Sequence, residues 1–266
     1  MKRRLLRVVV VVALVAVAAT LAHAQFRRRG LDALAGGVTP APNVAYDGRF
    51  TFVRVNYTTA PGGYWYRGQP AWSHGYPTAE RNLLSILTAL TTIPARLDAT
   101  NSLSLSDPAI FNYPVIYIIE VSWWQMTDAE AANLRAYLAK GGFVIVDDFK
   151  VPGGMGGRGW EAFAENMARV VPDGEFIDLD ATHPIFHQFF DINSLDIFPQ
   201  AYNAGQPVFR GLFEDNDPSR RLRMMVHYNT DISQFWEWSE RGLRPIDQTN
   251  EAYKLGVNAI LYGLLH

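Results

Sequence analysis

The chain has 266 residues, of which 48% are apolar and 13% aromatic, and it carries 24 basic and 26 acidic side chains. This composition supports a sizeable hydrophobic core and excludes an intrinsically disordered protein. Because the chain has no cysteine, disulfide scaffolds, thiolate zinc sites, iron–sulfur clusters and cysteine nucleophiles are also excluded. The near balance of charge argues against a broad surface for binding nucleic acid.

The first 24 residues have the pattern of a signal peptide. Met1–Arg7 is a basic head, Val8–Leu21 is an apolar stretch, and Ala22-His23-Ala24 fits a small-x-small cleavage site. The apolar stretch is shorter than the ~20 residues that span a bilayer. We therefore predict cleavage near Ala24, export to the periplasm or outside the cell, and no transmembrane helix in the mature chain. The alternative is an uncleaved anchor.

Residues 25–49 are rich in Gly, Ala and Pro and show no hydrophobic period, which is typical of a flexible linker. No second linker interrupts residues 50–266, so we predict a single folded domain there. The aromatic and β-branched residues of Phe50–Tyr57 predict a strand. After a long loop, Thr58–Pro77, the leucine spacing of Thr78–Leu90 predicts a helix.

The rest of the domain alternates between strand and helix patterns. Thr127-Asp128-Ala129-Glu130 is a capping box, in which the threonine and glutamate side chains each satisfy a backbone N–H at the start of a helix. The predicted strands are Val115–Ile119, Phe143–Asp148, 175–179, 208–213 and 222–228, and the further predicted helices are Trp160–Val170 and about 250–264. This alternation predicts an α/β fold, with a mostly parallel, doubly wound sheet flanked by helices.

Polar side chains at the ends of the predicted strands are the first candidates for a site, because ligands of open α/β sheets bind there. They are the catalytic candidates Glu120, Asp147 and Asp148 and the binding candidates His227 and Asp231. Successive strand residues point to opposite faces, so only one of the two aspartates faces a given cleft. Carboxylates there bind a hard cation or act as acid and base. The structural alternative is that one aspartate caps a loop and the other pairs with a base such as Arg158.

The segment His183-Pro184-Ile185-Phe186-His187 places two imidazoles four residues apart. On a helix they would share a face, as in zinc motifs. His183 and His187, together with Asp148, are therefore the candidate metal ligands, and His183 is also a catalytic candidate. Proline suits the first position of a helix, and this favours the alternative that His183 caps a helix.

Aromatic side chains are dense in two segments, Tyr64–Trp72 and Phe235–Trp238. Exposed aromatic rings stack on sugar rings or bind a partner, whereas buried ones cover the core. The candidate binding residues in and beyond these segments are Trp65, Trp72, His74, Arg158 and Trp236.

Several segments are characteristic of one family. They are Phe50–Tyr57, Tyr76–Leu84, Gly141–Phe149, His183–Phe186 and Asn229–Asp231. In these segments the chain resembles the DUF4159 family of typically exported bacterial proteins, and the resemblance covers essentially all of residues 50–266. It implies a fold similar to that of class I glutamine amidotransferases. A glutaminase of that class needs a nucleophilic cysteine, and this chain has none, so amide transfer through a thioester is excluded.

Two functions remain open. The first is a non-catalytic module that binds a small molecule, a glycan or an envelope protein in a cleft lined by Trp65, Trp72 and Trp236, with no nucleic acid and no required cofactor. The second is a metal-dependent hydrolase, in which strand-end carboxylates and His183 hold a divalent cation that activates water. The lack of established catalytic motifs favours the first.

Overall fold

The structure of the chain is a computed structural model, which describes residues 40–65, 68–149, 158–196, 198 and 206–266. The described residues form a central sheet of seven strands and five α-helices. The strands are β1 (Val53–Asn56), β2 (Asn101–Ser104), β3 (Val115–Ile119), β4 (Phe143–Phe149), β5 (Phe176–Asp178), β6 (Val208–Phe213) and β7 (Leu222–Tyr228). The helices are α1 (Thr78–Leu90), α2 (Asp128–Ala139), α3 (Trp160–Val170), α4 (Ile232–Trp238) and α5 (Ile246–Leu265). None of these helices combines the length and the apolar character needed to cross a membrane.

The strands lie side by side in the order β2-β1-β3-β4-β7-β6-β5. The first five are parallel, whereas β6 is antiparallel to β7 and β5 is antiparallel to β6. From β1 the chain passes to β2 on one side, and it later returns to β3 on the other side. The strand order therefore reverses between β1 and β3, and ligands of doubly wound sheets bind outside the carboxyl ends of the strands at such a point.

The two faces of the sheet are covered by different helices. In β3, Tyr117 and Ile119 pack with α1, α4 and α5, whereas Ile116 and Ile118 pack with α2 and α3. All four side chains are at most 1% exposed. Because both faces are buried, the strand is apolar at every position and shows no alternation.

The predicted α/β fold, with a mostly parallel sheet flanked by helices, is confirmed. The bounds of α1, β3, α3, β6 and β7 are those predicted, and α2 begins with the predicted capping box. Two elements were not predicted. Two of the four residues of β2, the outermost strand, are serine, so its sequence lacks a strong strand pattern. Helix α4 has only seven residues, which are too few for a helical period to be recognised.

The end of the predicted linker contacts the edge of the sheet. The Asn43 side chain donates a hydrogen bond to the Ser102 carbonyl (2.9 Å) and accepts one from the Ser102 N–H (2.8 Å). Val44 and the Asn101 side chain exchange a similar pair of hydrogen bonds, both 2.9 Å long. The chain is therefore attached to β2 from residue 43 onward, before the predicted start of the domain.

Candidate functional site

Three neighbouring strands end in residues with a left-handed backbone. Glu120 follows β3 at φ 52°, Asp148 lies near the end of β4 at φ 50°, and Asn229 follows β7 at φ 57°. This conformation costs a non-glycine residue about 1–3 kcal/mol, and residues that adopt it cluster at functional sites. A site is therefore expected at the carboxyl edge of the sheet, next to the reversal of strand order.

Asp148, Glu120 and His74 converge at this edge. His74 Nδ1 lies 2.9 Å from Asp148 Oδ2 and 3.7 Å from Glu120 Oε1. The Asp148 side chain is fully buried, and the His74 and Glu120 side chains are 20% and 14% exposed. One ligand atom from each of the three residues lies within 4.8 Å of the other two. This spacing and these residue types suit the coordination of a single cation.

The backbone fixes the two acids relative to each other. The Glu120 N–H donates to the Asp148 carbonyl at 3.0 Å, which joins the ends of β3 and β4. The Tyr57 hydroxyl, just after β1, donates to the Glu120 carbonyl at 2.8 Å. His74 comes from a different direction, at the end of the short 3-10 turn Ala71–Ser73. Two strand ends and one loop thus supply the three side chains.

The charge of the cluster is partly balanced by His74. Burial by itself lowers the pKa of His74, but the hydrogen bond of its ring to the Asp148 carboxylate and the nearby Glu120 carboxylate outweigh burial and raise that pKa well above 6.5. The negative charge of Asp231 acts in the same direction. The two carboxylates therefore favour the protonated form of the imidazole, and its positive charge offsets part of their negative charge.

Asp147 points to the opposite face of the sheet, as the alternation along a strand requires. Its carboxylate accepts hydrogen bonds from the Tyr117 hydroxyl (2.5 Å), His227 Nδ1 (3.2 Å) and the backbone N–H groups of Ile232 (3.2 Å) and Ser233 (2.9 Å). The two backbone groups belong to the first turn of α4, so the carboxylate also caps that helix. The structure therefore gives Asp147 a role in folding and does not place it in the cluster.

Two of the binding candidates also hold α4 in place. Asp231 is the N-cap residue of this helix, and its Oδ1 accepts hydrogen bonds from the Gln234 N–H and the Ser233 hydroxyl, both at 2.9 Å. His227 is 1% exposed and hydrogen-bonds to Asp147. Both side chains are buried: Asp231 caps the helix directly, and His227 bonds to Asp147, which accepts hydrogen bonds from the first turn of the same helix.

The structure does not bring His183 to the strand-end acids. As predicted, His183 caps a short helical turn, because its Nδ1 accepts the Ile185 N–H at 3.2 Å. Its ring lies 6.2 Å from that of Tyr262, which in turn packs on Phe143 at the beginning of β4. Asp148 lies near the other end of the same strand. His183 is therefore near the amino ends of the parallel strands, whereas Asp148 is at their carboxyl ends.

His187 also lies apart from the cluster. Its Nδ1 is 2.9 Å from Asp191 Oδ1, and its Nε2 is 2.7 Å from the Ala181 carbonyl. The metal-ligand set predicted from the sequence, His183, His187 and Asp148, is therefore not assembled. Of its three members, the structure places Asp148 with His74 and Glu120 instead.

Two of the predicted aromatic binding residues are buried. Trp236 is 1% exposed, and its indole N–H donates to a backbone carbonyl of α5 at 2.9 Å, while Trp72 is 9% exposed. Both rings therefore contribute mainly to the core, which was the alternative for these aromatic segments. The Trp65 side chain lies outside the described part of the chain. Arg158 pairs with Glu165 on the surface and not with a strand-end aspartate.

Sequence reasoning named all three residues of the cluster but did not group them. His74 and Asp148 are separated by 74 residues, and only the fold brings them together. One further residue was missed. Arg54 lies between Val53 and Val55 in a buried strand, and a charged residue at such a position is the signal that could have identified it.

The similarity of the chain to known proteins identifies its family. No curated protein matches it. The sequence model described as "Domain of unknown function (DUF4159)" matches residues 51–264. This range contains all seven strands of the sheet and the three residues of the candidate metal site. The chain therefore belongs to the DUF4159 family.

Proposed function

We propose that this chain is an exported protein that binds a divalent cation through His74, Glu120 and Asp148 and uses that cation to hold a ligand. The observation that carries the proposal is the convergence of three ligand atoms within 4.8 Å of one another. The cluster also lies at the carboxyl ends of the strands, next to the point where the strand order reverses, which is the usual region for ligands in this class of fold. The basic, apolar and small-residue segments of residues 1–24 support export.

The residue types indicate which cations fit. One imidazole and two carboxylates suit Zn²⁺ or Mn²⁺ better than a soft ion such as Cu⁺, which prefers thiolate ligands. Three protein ligands leave at least one coordination position for an oxygen of another molecule. A small molecule or a glycan that presents a carboxylate or hydroxyl group is the ligand class that such a position accepts.

A binding role agrees with the absence of the nucleophile that glutaminases require. The chain has no cysteine, so a scaffold similar to that of the class I amidotransferases would carry a different function here. The three-ligand set also favours a second candidate, a metal-dependent hydrolase, because catalytic zinc sites likewise combine three protein ligands with an open position. Turnover of ester or phosphoester substrates by the metal-loaded chain would separate the second candidate from the first.

Metal content is the direct test. We would purify the chain from Gln25 onward without chelator, measure its metals by elemental analysis, and titrate Zn²⁺ and Mn²⁺ by calorimetry. We expect one bound cation per chain. Because Asp148→Asn and His74→Gln each remove a ligand, we expect either substitution to weaken binding by more than about 100-fold.

The chain offers a matched control for this experiment. His187 and Asp191 form a second histidine–carboxylate pair with the same 2.9 Å separation, but no third ligand joins them among the described residues. His187→Gln should therefore leave the affinity unchanged. The proposal is wrong if the wild-type chain binds no divalent cation, or if His187→Gln weakens binding as much as His74→Gln does.

A further inference from the structure

Arg54 is a charged residue in the interior of the sheet. It lies in β1, its side chain is fully buried, and its neighbours Val53 and Val55 pack on the opposite face. Moving a charge out of water is unfavourable unless other groups offset it. An arginine at this position therefore calls for a physical explanation.

Part of the compensation comes from α1. Arg54 Nε donates to Glu80 Oε1 at 2.7 Å, and Nη2 lies 2.5 Å from the same oxygen. The Glu80 side chain is fully buried as well. A buried ion pair of this kind often contributes no more to stability than two apolar side chains of similar volume. The pair alone does not explain why an arginine is present.

The remaining nitrogen of the guanidinium contacts the loop that carries His74. Arg54 Nη1 donates to the Trp72 carbonyl (3.2 Å) and to the His74 carbonyl (3.1 Å). Trp72 is the middle residue of the 3-10 turn, and His74 is the residue that follows the turn. Arg54 therefore fixes the backbone from which the His74 side chain reaches Asp148.

The same guanidinium also contacts β3, the strand that precedes Glu120. Its central carbon lies 5.1 Å from the centre of the Tyr117 ring in β3, a distance that suits a cation–π interaction. The Tyr117 hydroxyl donates to Asp147 at 2.5 Å, and Asp147 is the residue before Asp148. Arg54 thus contacts the loop that supplies His74 and the strand that precedes Glu120, and through Tyr117 it is linked to the residue next to Asp148.

We propose that Arg54 is a positioning residue, which holds His74 against Asp148 and so sets the affinity of the site for its cation, and that Glu80 orients Arg54 for this task. This inference rests on the proposed function. Groups that orient metal ligands typically change metal affinity by 10- to 100-fold when they are removed.

The test has to separate positioning from stability. Arg54→Met alone leaves the Glu80 charge buried without a partner and therefore destabilises the fold. The double variant Arg54→Met/Glu80→Met removes both charges and keeps similar volumes, but the Trp72 and His74 carbonyls lose their donor. We therefore expect it to fold with a melting temperature moderately below that of the wild type and above that of Arg54→Met. We expect its affinity for Zn²⁺, measured by calorimetry, to be about 10- to 100-fold weaker.

Arg135 provides a matched control. It too donates to two backbone carbonyls, those of Arg169 and Val170 at the end of α3, and neither residue belongs to the candidate site. Arg135→Met should leave the Zn²⁺ affinity at the wild-type value. The inference is overturned if the folded double variant binds Zn²⁺ as tightly as the wild type, or if Arg135→Met weakens binding equally.

A second readout does not depend on the cation. The ¹⁵N chemical shift of His74 Nδ1 reports the hydrogen bond between this nitrogen and Asp148. We expect the chemical shift of a hydrogen-bonded Nδ1, the signature of this contact, in the wild type and its loss in the double variant. If the wild type binds no cation, the proposed function fails, yet this signature still decides whether Arg54 positions His74. An unchanged signature in the folded double variant would refute the positioning role.

Discussion

Asp147 and Asp148 are consecutive residues of one strand, both are fully buried, and both contact a histidine, yet their surroundings differ. Asp147 accepts hydrogen bonds from a tyrosine, a histidine and two backbone groups of α4. Asp148 has a left-handed backbone and shares His74 with a second carboxylate, that of Glu120. The fold supplies hydrogen-bond donors to the first acid and brings a like charge near the second.

This difference distinguishes the acid that stabilises the fold from the acid that is available for function. Donors that come from regular structure stabilise a carboxylate and with it the fold. A second carboxylate near the first is unfavourable unless a proton or a cation lies between them. The face of the strand that carries the like charges is therefore the one that can bind a metal.

The largest expected effect comes from exchanging each aspartate for its amide. Asp147→Asn replaces an acceptor with an NH₂ group that faces donors, and we expect a loss of about 3–5 kcal/mol in the free energy of unfolding. Asp148→Asn weakens the contact with His74 but also relieves the repulsion by Glu120. Because these two effects oppose each other, we expect a change of no more than about 1 kcal/mol. Urea denaturation measures both. Equal destabilisation by the two substitutions would contradict the view that Asp147 stabilises the fold more than Asp148 does.

Stabilisation by the cation comes next in size. At 100 times the dissociation constant, a ligand that binds only the folded state adds about 2.7 kcal/mol to the free energy of unfolding. We expect this gain with Zn²⁺ in the wild type and in any folded fraction of Asp147→Asn, but not in Asp148→Asn. Thermal unfolding with and without Zn²⁺ measures it, and a gain in Asp148→Asn would count against the site.

The pH dependence of stability without added metal gives a smaller effect. Although burial lowers the pKa of His74, the carboxylates raise it well above 6.5. The stabilisation that protonated His74 provides is therefore complete below pH 6.5 and is lost as the pH rises through the higher pKa of the folded protein. In EDTA, the wild type should lose this contribution at alkaline pH, whereas His74→Gln should lack this part of the pH dependence. If the free energy of unfolding varied with pH in the same way in both proteins, His74 would not be the source of this pH dependence.

The smallest effect concerns the exposed pair of His187 and Asp191. The hydrogen bond to Asp191, helped by the Ala181 carbonyl, raises the pKa of His187. Because this pair is exposed to solvent, salt should reduce the shift, and Asp191→Asn should remove most of it. An NMR titration of the imidazole resonances at two salt concentrations tests both statements. We expect the His74 resonances to respond much less to salt, because that ring is largely buried.

The elements that the sequence predicts well are those with a strong local pattern. The continuous apolar run of β3 and the capping box of α2 are examples. Burial on both faces requires apolar residues at every position of a strand, and helix capping requires particular residue types at fixed positions, so both can be recognised in the sequence. In contrast, β2 and α4 depend on tertiary contacts for their stability. Asn101–Ser104 becomes a strand by pairing with β1, and α4 is held by the Asp147 and Asp231 side chains.

The candidate site could be predicted only in part for a related reason. The positional rule for α/β sheets selects Glu120, Asp147 and Asp148. The alternation along a strand predicts that only one of the two aspartates faces the cleft, and the structure shows that it is Asp148. His74 lies in a loop whose path depends on Arg54 and on α1, so no spacing in the sequence links it to the acids. The i,i+4 spacing of His183 and His187 indicated a metal site, but His183 caps a 3-10 turn near the beginning of β4 and His187 pairs with Asp191.

The hydrogen bonds of Asn43 have a consequence for how copies of the protein meet. The outermost strand of a sheet is a template on which a strand from another molecule can add. At β2, the amide of Asn43 already occupies the N–H and C=O groups of Ser102, as a neighbouring strand would. The opposite edge is formed by β5, which has only three residues. Strand-to-strand association of two copies therefore has little backbone to use at either edge, and this disfavours aggregation through the sheet.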